Sequence, residues 1–382
     1  MNMKNDRNGL RTWLEIDCRA IEKNYKIFRS LIITKTKLMA VVKSNAYGHG
    51  LVDFAKKLER LGADWFGVDS VVEGLALRRE GVKAPILVLG YTLSDKFKEA
   101  ADNDISITVS SFETLETLQK NHLSRPLKIH IKVDTGMHRQ GFLLKDLPKV
   151  LSFLQTTSHK LQANVEGLYT HFAAAKNPAF PEYTKKQIAE FKQWRIAFKK
   201  VGFSPICHAS ATAGAMIFPE ANFDMARIGI GFYGLWPAKE IESYFANRIL
   251  LEPTLSWKTI ISEIKELPKG AKIGYDLTET LQKESRIAIC PIGYWHGYPR
   301  TLSSIGFVLV GGKRARILGR VSMDMISINI TDIKNVKVGD EVVLIGKQKK
   351  EKITINELAN LSDTSHYEFI TRLNPLIKRI YI

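Results

Sequence analysis

LMAVVKSNAYGHGLVDFAKKLERLG (38–62) carries a strand, a turn and a helix in one stretch. LMAVV (38–42) is a short, continuous apolar run, the pattern of a strand covered on both faces. Leu51, Phe54, Ala55, Leu58 and Leu61 recur at helical spacing on one face, and Gly62 stops the helix. The same unit recurs along the chain. The further runs are WFGV (65–68), PILVLG (85–90), ISITVS (105–110), LKIHIKV (127–133), EGLYTH (166–171), PICHAS (205–210) and MARIGI (225–230). With the first they make eight. Between them, VVEGLALRREG (71–81) and PEYTKKQIAEFKQWRIAFKKVG (181–202) read as helices that stop at glycine. SSFETLETLQK (110–120) opens on Ser111, with Glu113 and Glu116 in its first turns, where the helix dipole favours acids. Eight strand–helix units predict an α/β fold, a (β/α)8 TIM-like barrel. An open doubly wound sheet is the structural alternative.

Beyond about residue 245 the texture changes. LSWKTIISEIKEL (255–267), SRIAICPIG (285–293), FVLVGG (307–312), ARILGRV (315–321), MISINI (325–330) and EVVLIG (341–346) are strand-like and separated by turn signals. Only ITINELANLS (353–362) reads clearly as a helix there. The expected division is a barrel over residues 12–240 and a C-terminal β-rich domain over 241–382. WLEID (13–17) is strand-like but precedes the barrel units, so residues 1–17 are candidates to pair with the second domain.

Composition excludes several classes. At 382 residues and 45% hydrophobic, the chain can bury a large core and is neither disordered nor low-complexity. Lys plus Arg outnumber Asp plus Glu by 56 to 39, a net charge of +17 that would suit anionic partners. The basic residues are scattered, so no nucleic acid and no membrane partner is expected. Cys18, Cys207 and Cys290 are far apart, with the spacing of neither a disulfide framework nor a zinc site. MNMKNDRNGLRTW at the start lacks the apolar stretch of a signal peptide. A cytoplasmic protein is the expectation.

Functional groups of a barrel collect at the C-terminal ends of its strands. The first run ends at Lys43, where partial desolvation would free an amine for Schiff-base chemistry. The fifth run leads into KVDTGMHRQG (132–141) with Arg139, and the sixth ends at His171. The seventh leads to Thr212 in CHASATAG (207–214); the eighth carries Arg227, Gly229 and Gly231 in DMARIGIGFYG (224–234). A hydroxyl, close-approaching glycine backbone and a helix start suit a phosphate. A lysine at strand one and a phosphate cradle at strands seven and eight together suggest pyridoxal 5'-phosphate.

VVKSNAYGHG, KVDTGMHRQG, EGLYTHFA, ARIGIGFYG, IGYD, PIGYWHGYPR, GRVSMDMISI and HYEFITRL follow one another along nearly the whole chain. In this order and spacing the sequence closely resembles the alanine racemases, fold-type III pyridoxal-phosphate enzymes. The resemblance implies that Lys43 carries the cofactor covalently and is one catalytic base, with Tyr275 the other. It implies that Arg227 faces the cofactor's ring nitrogen and that His171 bridges Arg227 and Tyr275. An arginine stays charged at ordinary pH, so it would keep that nitrogen unprotonated and the electron sink weak. Tyr47, Thr212, Gly229, Ile230 and Tyr367 match phosphate-site positions. Arg139 and Met323 match substrate-carboxylate positions, Lys132 a lysine carbamylated in many members, and Tyr294 a tyrosine at the entry.

The implied function is interconversion of L- and D-alanine, supplying D-alanine for peptidoglycan. The implied assembly is a homodimer in which the β domain of one subunit completes the barrel site of the other. Four positions depart from the family pattern. Ala211 and Thr212 stand where asparagine and serine are common, Ser322 replaces a frequent cysteine beside Met323, and His138 replaces a small residue beside Arg139. The rivals are a racemase for serine or lysine and a fold-type III decarboxylase. The bulk of Tyr275 and Tyr367 favours a methyl side chain, and a tyrosine base favours racemisation.

Overall fold

The structure is a computed structural model, and it describes residues 7–121, 123, 125–156 and 163–382. Residues 1–6 of the polar N-terminal stretch lie outside the described residues. The chain divides into two compact units. One comprises Arg19–Ala46 and Leu51–Pro253; the other comprises the residues up to Cys18, Tyr47–Gly50 and Thr254–Ile382.

The first unit is an eight-stranded parallel barrel. Its strands are Lys37–Val41, Trp65–Val68, Ile86–Val88, Ile105–Val109, Leu127–Lys132, Ala163–Tyr169, Ile206–His208 and Met225–Ile228. The first seven pair in chain order, and the eighth pairs with the first in the register Met39↔Arg227. The seam between seventh and eighth is bridged by Asp224 N–H to Cys207 O (2.9 Å) and Arg227 N–H to Ser210 O (3.0 Å). Five strands are shorter than their apolar runs. After Ile86–Val88 the chain presses on its neighbour: a Cβ on Gly90 would sit 2.3 Å from Asp69 O. Met39, Trp65, Leu87 and Met225 pack together inside the barrel.

The helices follow the sequence signals. Leu51–Leu61 buries Phe54, Ala55 and Leu58. Val71–Arg79 and Phe112–Lys120 start at Ser70 and Ser111, whose hydroxyls accept from Glu73 N–H and Thr114 N–H. Cys18–Leu31 and Leu147–Thr156 are further helices that the sequence reading had not marked out.

The second unit is β-rich. Its sheet runs in the order Glu263–Leu267, Ser285–Cys290, Ile326–Asn329, Lys313–Leu318, Phe307–Val310, Glu341–Gln348, Leu255–Ile260, Thr12–Ile16, Lys378–Tyr381. Thr12–Ile16 is antiparallel to Leu255–Ile260 and parallel to Lys378–Tyr381, so this early strand sits in the late sheet. The expected strand 255–267 is two strands. Ile261 N–H bonds to Asp340 O and Ser262 N–H to Ile289 O, so the backbone changes partner between them. Ile355–Leu361 is the expected helix, and His366–Thr371 is a second short one.

Tyr47–Gly50 belongs with this second unit. The Arg379 guanidinium donates twice to Gly48 O, at 3.1 and 3.0 Å, and Tyr381 Oη donates to His49 O at 3.0 Å. Gly48 has φ +82°, and a Cβ there would lie 2.1 Å from Ile370 O. Only glycine fits that position.

Candidate active site

Ser44, Asn45, Ala46 and Tyr47 follow Lys43 with φ of +56°, +55°, +50° and +49°, a full left-handed turn of non-glycine residues. Such residues cost roughly 1–2 kcal/mol each in this conformation. They persist only where their surroundings over-determine them. Ala46 N–H donates to Val42 O at 2.8 Å, and Leu51 N–H donates to Asn45 Oδ1 at 2.9 Å. The Glu73 carboxylate takes Asn45 N–H on one oxygen (3.0 Å) and Asp69 N–H on the other (2.8 Å). One side chain thus ties the loops after the first and second strands. Asp69 in turn pairs with Lys43 Nζ at 3.4 Å. The Lys43 side chain is 39% exposed and faces that carboxylate.

Glu73→Gln is a direct test of this clasp. A glutamine keeps one acceptor oxygen, so one of the two backbone N–H groups meets an amide NH2 instead. An unsatisfied, partly buried donor costs ~1–3 kcal/mol. Urea unfolding of the variant should show that loss, and an unchanged midpoint would mean the clasp carries no weight.

The loop after the fifth strand is shaped by Asp134. Its carboxylate accepts from the N–H groups of Gly136, Met137, His138 and Arg139 at 2.9 to 3.1 Å. Burial opposes ionisation of Asp134, but these bonds outweigh it and hold the carboxyl below its ordinary range. The loop presents Arg139 and His138, the latter at φ +54°. Lys132 ends the strand, buried, and donates to Gln140 Oε1 at 3.0 Å. Burial, with Arg139 and Arg227 adding repulsion, pushes its ammonium down to about 8. Lys132, Arg139, Thr170 and His171 line one cleft.

Arg227 is buried at the end of the eighth strand. Its guanidinium donates to Thr170 O (2.8 Å), Ala209 O (2.7 Å), His208 Nδ1 (2.7 Å) and His171 Nδ1 (3.3 Å). Burial lowers Arg227 to about 10, so it stays charged at neutral pH. Burial, then the nearby Arg227 and Arg139 charges, pushes His171 down to about 3. His171 is therefore neutral. The Thr212 hydroxyl accepts from Gly229 N–H at 3.2 Å, and both face the turn that begins at buried Ile230. Tyr233 Oη donates to Val41 O at 2.9 Å, tying that turn to the strand that delivers Lys43.

The second unit holds the other expected residues. Tyr47 and Tyr367 lie with ring centroids 6.3 Å apart; burial pushes Tyr47 up to about 12 and raises Tyr367 as well. Tyr275 sits on a turn with Asp276 at φ +58° and is 68% exposed. The Asp276 carboxylate pairs with Arg320 at 2.7 Å. Tyr294 N–H donates to Ser322 O and Trp295 N–H to Met323 O, both at 3.0 Å. Tyr294, Trp295, Met323 and Met325 are all exposed on these paired loops. No group of three or more potential metal ligands occurs among the described residues. No helix among them is long and apolar enough to cross a membrane.

Sequence reasoning missed Asp69, Glu73 and His208 as members of the site. His208 was legible in principle. It is a histidine between apolar residues at a strand end, two residues before the turn that leads to Thr212.

Known families match this chain throughout. The model of the alanine racemase N-terminal domain matches residues 16–237, and that of the alanine racemase C-terminal domain matches 254–381. An alanine racemase of Methanococcus maripaludis is 40% identical over 97% of this chain and 98% of its own. Alanine racemase 2 of Bacillus subtilis is 41% identical over 97% and 94%. The crystal structure of alanine racemase from Bacillus anthracis with bound L-Ala-P superimposes with a TM-score of 0.92 at 37% identity, covering 97% of this chain and 95% of that one. That of Clostridium difficile 630 gives 0.91 at 32% identity.

Proposed function

The chain belongs to the alanine racemase family, and from that premise we propose that it interconverts L- and D-alanine with pyridoxal 5'-phosphate. The observation that carries the cofactor is the donor set of the barrel unit. It holds an amine at Lys43, a buried cation at Arg227 whose partners are all uncharged, and the paired Thr212 hydroxyl and Gly229 N–H. These match an aldehyde, a ring nitrogen and a phosphate. When bound, the group withdraws electrons from the substrate's α-carbon and makes its proton removable.

The chain's own residues do the rest in this reading. Lys43 holds the cofactor and moves a proton at Nζ; Tyr275 moves one at Oη on the opposite face. One base cannot readily return a proton to the far face, so two are required. Thr212, Gly229, Ile230, Tyr47 and Tyr367 hold the phosphate. Arg227 keeps the ring nitrogen hydrogen-bonded without protonating it, because a guanidinium at about 10 keeps its own proton at neutral pH. His171 steadies Arg227. Arg139 and Met323 take the substrate carboxylate. Lys132 is a candidate for carbamylation: its neutral amine adds carbon dioxide and releases a proton, and the carbamate would balance Arg139. The lowered Lys132 supports this, since only a neutral amine reacts.

The reading includes a homodimer with composite sites. The exposure of Tyr275 and Met323, 68% and 54%, supports it, because a catalytic base working out of bulk water needs a cover. It also includes a cytoplasmic location, supported by three cysteines none of which is in a disulfide. The product would be D-alanine for peptidoglycan.

The test is racemisation by the purified, cofactor-loaded protein, started from each enantiomer of alanine, serine and lysine. Alanine should converge on an equal mixture from both sides. Serine and lysine should lag by about 10-fold or more, the scale on which a pocket rejects extra groups. No conversion of alanine, or a faster reaction on serine or lysine, would overturn the assignment.

A further inference from the structure

A line of polar side chains leaves Arg227 and runs back through the barrel interior. Arg227 Nη1 donates to His208 Nδ1 at 2.7 Å. His208 Nε2 lies 2.9 Å from His130 Nδ1, and His130 Nε2 lies 3.3 Å from Glu166 Oε2. Both histidines are fully buried. Tyr169 stacks on His208 with centroids 4.7 Å apart and planes 3° from parallel, and Trp65 packs edge-on against His130. Barrel interiors are ordinarily filled with branched apolar side chains. This one spends part of its interior on a hydrogen-bonded file.

The geometry fixes every proton in the file. A guanidinium only donates, so His208 Nδ1 must accept and its proton sits on Nε2. That proton goes to His130 Nδ1, so His130 is also protonated on Nε2 and donates to the carboxylate. Both imidazoles are neutral, and burial holds both below the ordinary histidine range. Burial opposes ionisation of Glu166, but hydrogen bonds from His130 and Ser106 outweigh it. The file therefore runs from a cation to an anion with all donors pointing one way. Such aligned bonds polarise one another.

The backbone is built for it. Between Ile129 and His130 the fifth and sixth strands slip register, pairing Ile129 with Val165 and His130 with Gly167. Glu166 is the extra residue of this bulge, a device that re-aims a side chain. A Cβ on Gly167 would lie 2.0 Å from His130 Nδ1, so only glycine leaves room for the ring. Arg227 needs the arrangement. A buried charge is costly without a counter-charge, and its four direct partners are two carbonyls and two neutral imidazoles.

We propose that Glu166 is the remote counter-ion of Arg227, acting through His208 and His130 to set the orientation and donor strength of the guanidinium. Glu166 is thus a positioning residue. The inference rests on the proposed function for its consequence, but the file itself does not depend on it.

The test has two arms. In the cofactor-free protein, histidine nitrogen NMR reads the file directly. His130 and His208 should both be neutral with the proton on Nε2. Glu166→Gln keeps an acceptor for His130 but removes the charge, and it should shift the His208 nitrogen signals although His208 does not touch residue 166. An unchanged far-ultraviolet circular dichroism spectrum serves as the check on intact folding. In the loaded enzyme, Glu166→Gln should lower kcat on the order of tenfold, the scale at which supporting partners act, and leave KM near wild type. A doubly protonated or Nδ1-protonated His130 or His208 in the unmodified protein would overturn the proposal, as would unmoved His208 signals in the variant. Wild-type kcat in the variant, beside an active unmodified enzyme, would overturn it too. If the unmodified protein did not racemise alanine, the function would fall, and the NMR arm would still decide the file.

Discussion

Lys43→Ala should lose nearly all racemase activity together with the visible absorbance band of the covalently held cofactor. In the proposed mechanism Lys43 supplies both the covalent anchor and one of the two bases, so no neighbouring group would compensate for its loss. The fold should be nearly untouched. Lys43 makes one partly exposed ion pair, with Asp69, and such pairs contribute ~0–1 kcal/mol. The left-handed turn after it is held by the backbone of Val42, the side chain of Asn45 and the carboxylate of Glu73, none of which the substitution removes. Cofactor should still bind without a covalent link, through Thr212 and Gly229. The measurement is an absorbance spectrum of the reconstituted variant beside its thermal midpoint and activity. An unchanged band would move the anchor to another lysine. Lys132, buried and lowered to about 8, would be the first to examine.

The barrel was legible because its evidence is local and repeated. Each of eight apolar runs is short, and each stretch such as Leu51–Leu61 shows its buried face by spacing alone. The second sheet was legible as strands but not as an order. Nothing near Thr12–Ile16 says that its partners are Leu255–Ile260 and Lys378–Tyr381, because those pairings are decided about 240 and about 365 residues away in the chain. The break at Ile261 has the same origin: a change of partner leaves no mark on an apolar run.

The site divides similarly. Lys43, Arg139, His171, Thr212 and Arg227 could be found because each lies at or after the end of a strand. What holds them could not. The turn Ser44–Tyr47 contains one residue tolerant of left-handed geometry, Asn45, and gives no warning of four. Its cause is Glu73, on a later helix. The file behind Arg227 left a partial trace in LKIHIKV, where Lys128, His130 and Lys132 alternate with apolar residues. Period two puts all three on one face of the strand, which reads as an ordinary amphipathic strand. Only the bulge at Glu166, invisible in sequence, completes it.

Tyr275→Phe should cost racemisation roughly 10²–10⁴-fold, the worth of a positioned general base. The equilibrium constant between enantiomers is unity, so kcat/KM must fall equally in both directions. A sharper outcome comes from pairing this variant with Lys43→Ala. Suppose each site takes Lys43 from one subunit and Tyr275 from the other. A mixed dimer of the two variants then contains one site with both lesions and one site with neither. Random pairing at equal amounts makes about half the dimers mixed, so roughly a quarter of all sites should work. Neither variant alone should approach that level. The exposed turn that carries Tyr275 makes the exchange physically reasonable, since its conformation rests on Asp276 and Arg320 of its own unit rather than on the tyrosine ring. If both residues instead came from one subunit, every site would carry a lesion and co-expression would restore nothing. The measurement is activity of the co-expressed pair per bound cofactor, once differential tags show that mixed dimers have formed. Mixed dimers without recovered activity would sink the shared site while leaving the racemase assignment standing.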